Sequence, residues 1–325
     1  MSRAQRALIA LAPIITLMLL GGLLGAGNPR PTQVAAAVPV VNESTTVVGQ
    51  TSAASPIPTA TVIPPTATLA RRDFQDTAAI AIKVAPTAFL PGRGPGLPGE
   101  FVVASKRLDF YLGSRTFSAD EVAAMAISAE HALGYMQRRF DTELRQRVSV
   151  GVYQASQAPS RGTRGIAYTY GDTNVRIYYG SHEDRHKALV ILTHELAHAL
   201  QAEAYGKEAQ SRADIVLLEG LASFISGEYW LSLSDSPSFI ARARELYNAG
   251  YRGNLATMNR NSADVAYDMW AGFVEYLTRT YGWDAFNMLY VSGRGRAAGS
   301  ADYVGVYGKS FKELAAEYYA VLAAE

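Results

Sequence analysis

One stretch constrains this chain more than any other: Thr193-His194-Glu195-Leu196-Ala197-His198, set between the apolar runs 188–192 and 199–200. On a helix, residues four apart lie one turn apart on the same face. His194 and His198 can therefore present two imidazoles to one metal ion while Glu195 points to the neighbouring side. Two neutral imidazoles suit Zn²⁺ at about 2.0–2.1 Å, a third protein ligand completes a catalytic shell, and an open position takes water. Glu195 is then the base that receives the proton of that water.

A second stretch has the same spacing, His182-Glu183-Asp184-Arg185-His186. The middle of a buried metal-binding helix suits Leu196 and Ala197, whereas Asp184 and Arg185 would bring two charges there. Ser181 with Asp184 reads as an S-x-x-D capping box, so this stretch is expected to be the solvated first turn of the helix that carries the later motif.

The chain has no cysteine, which excludes thiolate metal sites, a thiol nucleophile and disulfides. A metal must use histidine and carboxylate, and the five histidines stand at 131, 182, 186, 194 and 198. His131, on an expected helix over 119–140, reads as a packing or surface histidine. A net charge of +1 points to no nucleic-acid partner.

Residues 1–27 read as a targeting segment: Arg3 and Arg6 precede an apolar run from Ala7 to Ala26, compatible with a cleaved signal peptide or with an uncleaved membrane anchor. Either route takes the chain out of the cytoplasm, secreted or membrane-bound. From residue 28 to 99 the sequence turns to Thr, Ala and Pro, with 11 of the 14 prolines, and is expected to be a disordered spacer. Residues 100–325 are then one folded domain. Strands are expected over 101–103, 108–112 and 148–153, with a hairpin over 166–179, and helices over 119–140, 184–205, 213–230, 237–249, 264–281, 284–291 and 310–323. Pro237 suits the first turn of its helix. Strands first and helices after make the class α+β, a small N-terminal mixed sheet followed by a mainly helical part.

The third ligand has one strong candidate. Glu219, in Leu217-Leu218-Glu219-Gly220-Leu221, follows His198 by 21 positions, room for a turn and an antiparallel second helix. Buried unpaired between leucines, its carboxylate would be costly, and a metal removes that cost.

At this point the sequence resembles the gluzincin metallopeptidases, in particular the peptidase MA-like group of extracytoplasmic bacterial domains. The resemblance rests on H-E-L-A-H-A-L-Q at 194–201, L-E-G-L-A-S-F at 218–224 and Y-D-M-W-A-G-F-V-E-Y-L-T-R-T-Y-G at 267–282. It implies a zincin-like fold, one zinc ion on His194, His198 and Glu219, Glu195 as general base, and a peptide or protein substrate. It also implies a sheet whose edge strand runs above the active-site helix, a place that Gly165-Ile166-Ala167 fits if it is more than an ordinary hairpin; such an edge can hold an extended peptide. By position, Tyr267 is the candidate for steadying the oxyanion, with a packing role as the alternative and Tyr229 in reserve. Two departures stand out. Ser223 occupies the place where some gluzincins carry an acidic residue behind the first histidine, so that support is expected from elsewhere. No G-x-M-E-N stretch is present, which leaves endopeptidase action as the default. The reading is a zinc-dependent peptidase. Its rival is a zinc-binding surface interaction module with little turnover, and a weaker one is a hydrolase acting on something other than peptides.

Overall fold

The structure, a computed structural model, describes residues 90–113, 117–180, 182–260 and 263–324. The apolar segment of 1–27, the proline-rich stretch as far as residue 89, and Ser181 lie outside the described residues. The chain is α+β. Its first half contributes β1 (Glu100–Ala104), β2 (Leu108–Leu112), α1 (Ala119–Phe140), β3 (Val148–Tyr153), β4 (Gly165–Tyr168) and β5 (Asn174–Tyr178). The second half is helical: α2 (Arg185–Tyr205), α3 (Lys207–Arg212), α4 (Ile215–Ser226), α5 (Glu228–Leu231), α6 (Phe239–Asn248), α7 (Ala263–Tyr281), α8 (Trp283–Val291), α9 (Tyr303–Tyr307) and α10 (Phe311–Ala323).

The five strands form one mixed sheet in the order β1-β2-β3-β5-β4. β2, β3 and β5 run parallel, and β1 and β4 pair antiparallel at the two edges. Parallel neighbours need a long crossover, which α1 provides between β2 and β3. Alternation then sorts the side chains. Val148, Val150, Val152, Val175 and Ile177 join the large core under the helices, while Tyr153, Ile166 and Tyr178 form a small cluster on the opposite face.

That opposite face is covered by residues expected to belong to the spacer. Gly94 N–H donates to Asp109 Oδ2 (2.6 Å), Ser149 Oγ donates to the Pro95 carbonyl (2.5 Å), and Tyr153 OH donates to the Pro98 carbonyl (3.0 Å). Prolines lack a donor but keep their carbonyls, so a segment poor in regular structure can still be fastened through acceptors.

α2 is the axis of the helical half. From Val190 to Ala202 every residue is buried, the mark of a helix packed on all sides. Its bounds meet the expected 184–205 to within one residue, but the second histidine stretch lies only partly within it. The helix opens at Arg185 with Asp184 as N-cap, whose carboxylate accepts from His186 N–H (2.8 Å). His182 and Glu183 therefore precede the helix. Glu183 instead accepts from Gly180 N–H (3.1 Å) and pairs with Arg164 (2.7 Å), tying the approach to β4 to the approach to α2.

Two other boundaries move. The helix expected over 213–230 divides at Gly227, whose left-handed φ of 58° ends α4 before the short α5 begins. Pro237 lies outside α6, because Ser238 takes the N-cap and accepts from Ala241 N–H (3.1 Å). The short helices α3 and α9 were not foreseen, being too brief to show a period. Among the described residues no helix is long and apolar enough to cross a membrane.

Candidate metal centre

α2 and α4 bring three donors together. His194 and His198 lie on one face of α2, and Glu219 sits in the middle of α4 opposite them. Glu219 Oε2 is 3.2 Å from His194 Nε2 and 3.4 Å from His198 Nε2, and the three donor atoms all lie within 4.8 Å of one another. The two imidazole rings stand at 90° with centroids 4.9 Å apart, so both Nε2 atoms turn toward the same carboxylate. None of His194, Glu195, His198 and Glu219 is more than 1 % exposed.

The cluster suits a cation. A carboxylate buried among leucines needs positive charge, and the structure offers it two imidazoles. His198 Nε2 is buried and makes no hydrogen bond. Burial pulls the His194 imidazole below its ordinary pKa. Burial acts the same way on His198, but the Glu219 charge outweighs it and leaves that ring above its ordinary value. For Glu219 burial favours the neutral acid, yet the imidazoles, His198 foremost, bring its pKa well below the carboxylate range. The Glu219 carboxylate faces both Nε2 atoms, and the three donors together could hold a metal ion.

Each imidazole is held from behind. His194 Nδ1 is 3.3 Å from Ser223 Oγ, so the position where an acidic residue was missed does provide the support, through a hydroxyl. His198 Nδ1 is 3.0 Å from Gln201 Oε1, and the His198 carbonyl accepts from Gln210 Nε2 (2.7 Å). The His194 ring is also walled by aromatics, with Trp230 at 5.0 Å and Tyr267 edge-on at 5.4 Å between centroids. Trp230 Nε1 in turn donates to Asp268 Oδ1 (2.7 Å), a partly buried carboxylate paired with Arg242 (2.8 Å). Burial raises the Asp268 pKa against the pull of Arg242.

Glu195 lies beneath the sheet edge. β4 is an edge strand, and at Gly165 it passes so close that a Cβ there would stand 2.6 Å from Glu195 Cγ and 2.8 Å from its carboxylate carbon. Any side chain at position 165 would force the Glu195 side chain to shift.

Of the residues singled out in the sequence, His194, His198, Glu219, Glu195 and Tyr267 come together around α2. Tyr229 does not join the aromatic wall at His194 and packs on Tyr135 of α1, 5.8 Å between centroids. His131 is exposed on α1. His182 and His186 are not in the cluster, and His186 Nε2 instead meets Ser232 Oγ (2.8 Å). Sequence reasoning passed over Gln201 and Trp230. The first carries a signal that could have been read, a polar residue one turn beyond His198 inside an apolar helix; the second carries none, because its position depends on the break at Gly227. No family model and no curated protein matches the chain.

Proposed function

We propose that this chain is a zinc-dependent hydrolase of peptide bonds, an endopeptidase with a zincin-like architecture, and that it works outside the cytoplasm. The observation that carries the metal is the spacing of the donors. Three donor atoms, one from each of His194, His198 and Glu219, converge within 4.8 Å of one another, with Glu219 Oε2 3.2 and 3.4 Å from the two Nε2 atoms, close enough for one ion to reach all three. The donor set of two imidazoles and one carboxylate suits the same ion.

Bound zinc supplies a Lewis acid and makes water acidic enough to attack at neutral pH. The chain supplies the rest. The Glu195 carboxylate takes a proton from the attacking water and hands it to the leaving amine. Gly165 leaves room for that carboxylate directly under β4, and among the described residues no further strand pairs with the outer edge of β4, the place where an extended peptide would add. Tyr267, beside His194, is the candidate for steadying the oxyanion. The apolar run 7–26 supports the extracytoplasmic location, as a cleaved signal or a membrane anchor.

The near-complete burial of all four central side chains favours a second reading, in which the metal fastens α2 to α4 in an interaction module with little turnover. One comparison separates the readings: zinc content and hydrolysis of unfolded protein substrates for the wild type, Glu219→Ala and Glu195→Gln. The peptidase reading expects one zinc per chain and cleavage in the wild type, both lost in Glu219→Ala, with zinc alone kept in Glu195→Gln. Zinc without cleavage in the wild type favours the module, and no zinc in the wild type removes both.

A further inference from the structure

Gln201 lies one turn beyond His198 on α2 and is fully buried. The orientation of its carboxamide follows from its neighbours. Gln201 Nε2 is 2.9 Å from the Leu218 carbonyl oxygen, which can only accept, so the amine end faces α4 and Oε1 faces His198. Oε1 is 3.0 Å from His198 Nδ1, and it accepts from the Tyr290 hydroxyl of α8 at 3.2 Å. An amide oxygen cannot donate, so His198 Nδ1 carries the hydrogen. In the neutral ring Nε2 then keeps its lone pair, 3.4 Å from the Glu219 carboxylate. His194 has no such constraint, since the hydroxyl of Ser223 behind it serves either tautomer.

From this geometry we infer that Gln201, braced by Tyr290, is a positioning residue for the metal: it fixes His198 as the Nδ1–H tautomer, so that Nε2 is presented to an ion before one arrives. The inference rests on reading the cluster as a metal site. The same carboxamide also holds the carbonyl of Leu218, the residue next to Glu219, and so sets the second and third donors against each other across α2 and α4. Its partnership is neutral. It orients the ring without adding an anion, whereas a carboxylate in that place would raise the basicity of the imidazole as well.

The test uses the full chain with ¹⁵N-labelled histidine, metal-free and at an alkaline pH where the rings are neutral. Long-range ¹H–¹⁵N correlations read which nitrogen of His198 bears the proton, and His198→Gln identifies its signals. Zinc affinity is measured in parallel by competition with a chromogenic chelator. We expect the Nδ1–H form in the wild type. Gln201→Leu should shift His198 toward the Nε2–H form and weaken zinc binding by about 10- to 100-fold. Gln201→Glu still accepts at the same atom and should keep the tautomer. Tyr290→Phe preserves the packing and should weaken zinc less than Gln201→Leu does, which covers the case in which Gln201→Leu does not fold. An Nε2–H form in the wild type, or a tautomer and zinc affinity unmoved in both Gln201→Leu and Tyr290→Phe, would overturn the positioning role. A wild type that binds no zinc would overturn the metal reading itself, a result visible apart from the tautomer.

Discussion

Glu195 and Gly165 make one device from two residues, a carboxylate and the absence of a side chain above it. Replacing Glu195 by glutamine keeps the shape and removes the proton acceptor. Turnover of a susceptible protein should fall by about 10²- to 10⁴-fold while zinc stays bound, read by kinetics beside metal analysis. Gly165→Ala tests the same carboxylate from the other side, because the added methyl group and Glu195 cannot occupy one space. Activity should drop with zinc content preserved; an alanine variant with wild-type kinetics would mean that the carboxylate is free to work elsewhere. That His194 and His198 face one point was legible in the sequence because helical spacing fixes which residues share a face, and Glu219 because a carboxylate set among leucines calls for a partner. The closeness of Gly165 was not, since the height of an edge strand above a helix is set by packing between segments distant in sequence.

Between elements, the motif with two glutamate-histidine spacings shows what a pattern does and does not determine. His182-Glu183-Asp184-Arg185-His186 matches as letters, but the chain turns helical only at Arg185, so His182 never stands one turn below His186. His182→Ala should therefore leave zinc content unchanged. Strand and helix positions were readable from period and caps; that β2, β3 and β5 pair in parallel and that residues 90–98 return over the sheet were not, because both depend on long-range partners. The join between these pieces is a buried pair. Arg147 contacts Asp109 at 2.7 Å and also donates to the carbonyls of Leu90, Ser105, Lys106 and Leu108. Burial works to raise the Asp109 pKa, but the bonds from Arg147 and Gly94 prevail and hold it below its ordinary 3.8. A carboxylate depressed in the fold stabilises above its unfolded pKa and loses that contribution as pH falls through the folded one. Arg147→Met should cost about 3–5 kcal/mol near pH 7 by denaturant unfolding. The deficit should shrink toward pH 3, where the stranded Asp109 is protonated, and whatever loss persists there belongs to the four carbonyls.

For the molecule as a whole, the His194–His198–Glu219 cluster is a joint between two helices at the centre of the fold. α2 is packed on all sides, and α4 carries the third donor in a helix buried along almost its whole length. Without an ion, the anion of Glu219 is balanced by the two imidazoles, with the Arg296 charge acting on it as well, so zinc should act on stability as well as on chemistry. A ligand that binds only the folded state stabilises it by about 2.7 kcal/mol at one hundred times its dissociation constant, so thermal unfolding should rise by several degrees with added zinc and fall with chelator. Glu219→Ala should lose this response, and Glu195→Gln should keep it. Acid should erode it as well, because a proton competes for His198, whose pKa lies above the ordinary histidine value; the zinc-dependent gain should begin to fade at a pH above that of an unshifted imidazole. A zinc response equal in the wild type and Glu219→Ala would place the ion elsewhere, and the joint between α2 and α4 would then be a buried hydrogen-bonded cluster holding the helices by itself.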